Sequence, residues 1–166
     1  MEKRLFLPFV LLTLLSALTA ACLNPRDNPV FRKLARDSDE RIAKQTEKDL
    51  KESPVLQEID RLCTQEIPIF EGFRLRSKQS WKSRNPFMSY SYSSNTDFPP
   101  VRSLYTDYFS RKGWQLRRDQ VGGWGPPWSA TWRNKDYSVS ISYQPWDEGQ
   151  YGLFCEKLLY PDETPY

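Results

Sequence analysis

The stretch NTDFPPVRSLYTDYFSRKGWQLRRDQ, residues 95–120, changes its period partway along, and that change decides the fold. Val101, Leu104, Tyr105, Tyr108 and Phe109 recur at helical spacing and form one apolar stripe. Pro99 and Pro100 stand at its start, where a helix leaves its first N–H groups unbonded and the fixed φ of proline is already helical. Gly113 is placed to end it, since a glycine takes the left-handed cap conformation without a Cβ clash. The segment WQLRRDQ that follows is expected to be a strand.

Working outward, SATWRN, DYSVSISYQ and YGLFCEKLLY also read as strands, with a tight turn around residues 134–136. Trp114 and Trp132 lie on alternating patterns and point to the core. Upstream, Phe73, Leu75 and Ser77 alternate with Arg74, Arg76 and Lys78. FMSYSYSS repeats the alternation, with Met88, Tyr90 and Tyr92 on one side and serines on the other. Earlier still, Ser53 and Pro54 make a helix start, and Leu56, Ile59, Leu62 and Cys63 share a face before Pro68 ends it. Helix, two strands, helix, then a run of strands predicts an α+β domain. Its antiparallel sheet has about five to six strands, with one or two helices on one face. There is no internal repeat.

At LYTDYFSRKGWQL the chain resembles a module of small bacterial lipoproteins and exported proteins of unknown function. In that module a helix of the form (F/L)Y…(L/F)…GW leads into antiparallel strands. The matching positions are Leu104, Tyr105, Phe109, Gly113 and Trp114. The resemblance implies a fold more than an activity, and an amphipathic helix with a glycine cap accounts for the same residues.

The first residues, MEKRLFLPFVLLTLLSALTAAC, have a basic head, an apolar run and small residues before Cys22, the layout of a secretory signal over residues 1–21. The end of this segment resembles a bacterial lipobox, although Thr19 stands where the pattern prefers Leu. The resemblance implies that Cys22 is acylated and becomes the new amino terminus. Leu23, rather than Asp, after it implies an outer-membrane address facing the periplasm. Ordinary cleavage with a plain thiol at Cys22 is the alternative. Residues 22–53 are then a charged tether and 54–166 the globular domain. Acid-before-base pairs at Asp37/Arg41, Glu40/Lys44 and Glu47/Lys51 favour helix in the tether. Apolar residues are sparse there, which leaves a solvated helix or a partly disordered stalk. Of the three cysteines, Cys63 and Cys155 remain as an even pair once Cys22 carries lipid. In an oxidising compartment they form a disulfide; otherwise they are two buried thiols.

A net charge of +3 and a pI near 8.7 call for no nucleic acid. The chain has no histidine, which excludes Ser-His and Cys-His catalysis and histidine-based metal sites. It also lacks a Gly-x-Ser-x-Gly elbow, a phosphate loop and a dinucleotide fingerprint. Asp107, Asp119, Asp147 and Glu148 read as solvated acids. No catalytic residue, metal ligand or cofactor is expected. Two surface features stand out. Arg74, Arg76, Lys78, Lys82 and Arg84 make a basic run that suits phosphate head groups or an acidic partner, or that discourages edge pairing. VGGWGPPWSATW sets Trp124 and Trp128 among glycines and prolines, with Trp146 and Trp81 in other turn-like segments. These rings are either a lid over the core or a contact for a ligand or partner. The expected function is that of a non-enzymatic, lipid-anchored envelope protein binding another protein, in envelope assembly or toxin neutralisation. The alternative is a carbohydrate- or peptidoglycan-binding module using exposed tryptophans.

Overall fold

The computed structural model describes residues 28–120, 128–145 and 149–159. The chain falls into two compact units, Met1–Ile42 and Ala43–Tyr166. The first contains the start of helix α1 (Pro29–Glu52). Asn28 begins it by accepting a hydrogen bond from the Val30 N–H at 2.9 Å, with Pro29 at the first helical position. The last turns of α1 belong to the second unit, so the compact domain begins before the Pro54 at which sequence patterning starts it.

The second unit is an α+β domain. Helix α2 (Pro54–Arg61) is capped by Ser53, whose hydroxyl accepts from the Leu56 N–H, and it runs on into a π-helical turn (Leu62–Glu66). Strands β1 (Arg74–Trp81) and β2 (Phe87–Ser93) follow, then helix α3 (Phe98–Arg111). The chain ends in β3 (Gln115–Gln120), β4 (Trp128–Arg133), β5 (Tyr137–Gln144) and β6 (Gln150–Lys157). The six strands form one antiparallel sheet in the order β1-β2-β6-β5-β4-β3.

The stretch that sets the fold closes on itself as a Schellman motif. Gly113 takes φ 75°, its N–H bonds the Ser110 carbonyl, and the Trp114 N–H reaches back to the Phe109 carbonyl at 2.9 Å. The accompanying apolar contact is present too, with the Phe109 and Trp114 rings 4.9 Å apart.

Period-two alternation across paired strands gives the core its order. Met88, Cys155, Val139 and Trp132 lie side by side in one row, and Tyr90, Leu153, Ile141 and Ala130 in the next. Tyr92, Tyr151, Tyr143 and Trp128 form a third. Helix α2 covers this face over β2 and β6, and α3 covers it over β3 and β4. Phe98, Val101, Tyr105 and Phe109 of α3 and Leu56 and Ile59 of α2 are wholly buried against it. Cys63 and Cys155 are brought to disulfide distance, with Cα atoms 6.3 Å apart.

Both edge strands carry a bulge at an arginine. Pairing skips Arg76 between Leu75 and Ser77, and skips Arg117 between Leu116 and Arg118. Each bulge inverts the faces of the residues beyond it. Lys78 therefore does not share a face with Arg74, as simple alternation predicts. It lies on the helix side, 3.6 Å from Asp60.

Candidate functional site

Helices cover one face of the sheet. On the other, two adjacent rows cross the strands in register. The first runs Ser77, Ser91, Gly152, Ser142, Ser129, and the second Gln79, Ser89, Phe154, Ser140, Thr131. From β1 to β4 neither row contains an ionisable side chain, in a chain of which 27% is charged; on β3 the first continues to Gln120 and the second ends at Arg118. Among the described residues, Arg74, Arg133 and Glu156 lie in the rows beside them. Burial raises the Glu156 carboxyl above the usual carboxylate range, and Arg133 only partly offsets it.

Short side chains are what hold this face flat and close to the backbone. Several bond one another: Gln150 donates to the Ser91 hydroxyl at 2.9 Å, and the Thr131 and Ser140 hydroxyls lie 2.8 Å apart. Where Gly152 stands, a Cβ would come within 2.7 Å of the Ser142 hydroxyl and 2.8 Å of the Phe154 ring. Its absence leaves a shallow groove of about 310 Å³ over Ser91, Ser142 and Gln150, walled by Trp81 and Phe154. Trp81 is 40% exposed and stacks on Phe87, with centroids 4.6 Å apart. Phe154 is 38% exposed.

A second, wider cleft of about 730 Å³ opens at one end of the sheet, lined by Arg74, Arg76, Ser94, Thr96, Tyr143 and Gly149. Gly149 has φ 65° and packs against the Ser94 carbonyl, so the start of β6 is held to the turn after β2. The Ser94 N–H donates to the Gly149 carbonyl at 3.1 Å.

The basic run is dispersed among acids of the same chain and is no single patch. Lys78 faces Asp60, and Lys82 lies 2.8 Å from Asp49 and 3.4 Å from Glu52. Arg76 and Arg84 also engage other groups of the chain. Only Arg74 and Arg76 come together, at the cleft. The tryptophans separate as well. Trp128 pairs with Tyr143 in the sheet and leans on the Phe98 and Tyr143 rings at 6.2 and 5.9 Å, which makes it core. Trp81 alone of the four is described as an exposed ring; Trp124 and Trp146 lie outside the described residues, as do Cys22, Asp147 and Glu148. Asp119 is held by Arg102 of α3, at 2.8 Å from its Nε. Among the described residues, no group of three or more His, Cys, Asp or Glu is placed to hold a metal.

Sequence reading missed the uncharged face as a site. Its signal was nevertheless present, in serines at every second position of both FMSYSYSS and DYSVSISYQ. Seeing that these two series lie in one plane requires the strand order. Compared with protein families, curated proteins and solved structures, the chain matches none.

Proposed function

We propose that the chain is a non-enzymatic, lipid-anchored protein of a bacterial envelope, whose domain binds another protein through the sheet face opposite the helices. The observation that carries this is the distribution of charge on that face: none in the two central rows from β1 to β4, with Arg118 at the β3 end of one and Arg74, Arg133 and Glu156 in the rows beside them. Recognition surfaces have this anatomy, because a charge at the centre must be stripped of water whereas one at the rim keeps it. Serine and glycine adapt their hydrogen bonds to a partner at little entropic cost, and Trp81 and Phe154 supply rigid apolar anchors. A photo-crosslinking residue at Ser142 should yield one discrete protein adduct in cells. The same residue at Ser103, exposed on α3, should yield none. Ser91→Arg should lower the Ser142 adduct by roughly tenfold or more while leaving stability within about 0.5 kcal/mol. Equal adducts from Ser103, or an adduct indifferent to Ser91→Arg, would remove the face from consideration.

One observation favours a second reading, the carbohydrate-binding module. The groove is concave, and hydroxyls, carboxamides and an indole line it, groups that stack on and hydrogen-bond sugar rings. Retention on isolated polysaccharide that Trp81→Ala abolishes, without any protein adduct, would select this reading over the first.

A further inference from the structure

The first two turns of α1 expose an apolar ridge. Val30 is 62% exposed, Phe31 54% and Leu34 58%. At about 100° per residue these three side chains fall in one sector of the helix, and Arg32, Lys33 and Arg36 fall in the opposite one. The segment is a defined helix start, since Asn28 caps it and Pro29 opens it. Exposing three large apolar residues together is unfavourable in water, roughly 25 cal/mol per Å² of apolar surface. A helix that sorts apolar from basic residues in this way matches the boundary between lipid tails and anionic head groups. Reach agrees with chemistry, because the eight residues from Cys22 to Val30 span at most about 28 Å when extended. No helix among the described residues is long and apolar enough to cross a membrane, so this one would lie on the surface.

We infer that Val30, Phe31 and Leu34 form a membrane-contacting face, seated in an anionic lipid surface with Lys33 and Arg36 directed to head groups and water. The inference draws its reach from the lipid-anchored reading and its chemistry from the helix alone. Tethering keeps the helix at high local concentration near the bilayer, so a weak interfacial affinity suffices. Long basic side chains extend their charges toward phosphates while their stems lie along the interface.

The test places an environment-sensitive fluorophore at Leu34→Cys or, separately, Arg36→Cys in the full chain reconstituted in phosphatidylglycerol vesicles. The probe at 34 should emit blue-shifted light and be quenched several-fold more strongly by lipid-tail quenchers than the probe at 36. The contrast should weaken in phosphatidylcholine. Aqueous emission from both positions, or equal quenching at both, would overturn the proposal. So would a blue shift at 34 that ignores lipid quenchers and accompanies crosslinked dimers, because a second copy would then be the occupant. Probe uptake by the wild-type chain that Cys22→Ser removes would instead expose a free Cys22 and sink the lipid-anchor reading. The contrast between 34 and 36 is then read in a Cys22→Ser background, where it still decides the helix proposal.

Discussion

Trp128 and Trp81 carry the same indole into different surroundings, and the difference follows from what stands next to each. Trp128 has glycines and prolines before it but Ser129 to Arg133 after it, a strand that pairs with β5 and draws the ring between Phe98 and Tyr143. Trp81 ends β1 on the side opposite the helices, and among the described residues its ring contact is Phe87. Trp128→Ala therefore leaves a gap in the core and should cost roughly 3 kcal/mol, the low end for a tryptophan because the site is only half-buried. Trp81→Ala should cost about 1 kcal/mol, the scale of one aromatic pair. Urea melts of the two variants check this, and equal losses would contradict the assignment of Trp128 to the core. The strand adjoining Trp128 marks it in sequence as the more buried ring, whereas Trp81 stands in a turn-like segment. What the sequence does not show is the partner, Tyr143, fifteen residues away and set by the register.

At the scale of elements, the hydrophobic stripes of α2 and α3 were legible in sequence because each is periodic over its own length. The edge strands were legible as strands but not as faces. A bulge leaves no apolar signature, so alternation through RLRSK puts Lys78 on the wrong side. Such bulges, with charged residues beside them, also make poor templates for further strands. The end of α1 was the least legible of all. Asp49 sits in a run of charges that looks fully solvated, yet it is 5% exposed. It accepts from Lys82, from Ser80 at 2.8 Å and from Gln45 at 2.9 Å. The Lys82 bond leads in holding its carboxyl below the usual carboxylate range, against the opposing effect of burial. A carboxyl whose folded-state pKa is depressed stabilises the fold above its unfolded value and loses that contribution as pH falls through the folded value. Asp49→Asn should thus lower the melting temperature at neutral pH, and the deficit should close as acid protonates wild-type Asp49 through its depressed folded-state value. A deficit that persists unchanged at low pH would place the effect in packing instead of charge.

Across the whole molecule, the strand order makes β6 the strand through which the β1–β2 hairpin pairs with the β3–β4–β5 meander. The last strand of the chain is thus inserted at the centre of the sheet, with Tyr92, Tyr151 and Tyr143 in one continuous row. Sequence patterning finds six strands but has no means of ordering them, because the order depends on pairings between distant segments. The covalent link follows the same logic. Cys63 follows α2, Cys155 lies within β6, and they are 92 residues apart. Their bond would fix the π-helical turn after α2 to the last strand of the domain. A loop of that length corresponds to roughly 4.6 kcal/mol of unfolded-chain entropy, and native disulfides commonly contribute about 2–5 kcal/mol. Cys63→Ser and Cys155→Ser should each lower the melting temperature by about 10 °C or more under non-reducing conditions. The double variant should fall little further, since both substitutions remove one shared interaction. Reduction of the wild type should reproduce the loss. Two reactive thiols in denatured, unreduced protein, or single variants as stable as the wild type, would leave the centre of the sheet without its covalent link. Cohesion of the hairpin and meander would then rest on the pairing of β6 and on the helices packed across the sheet.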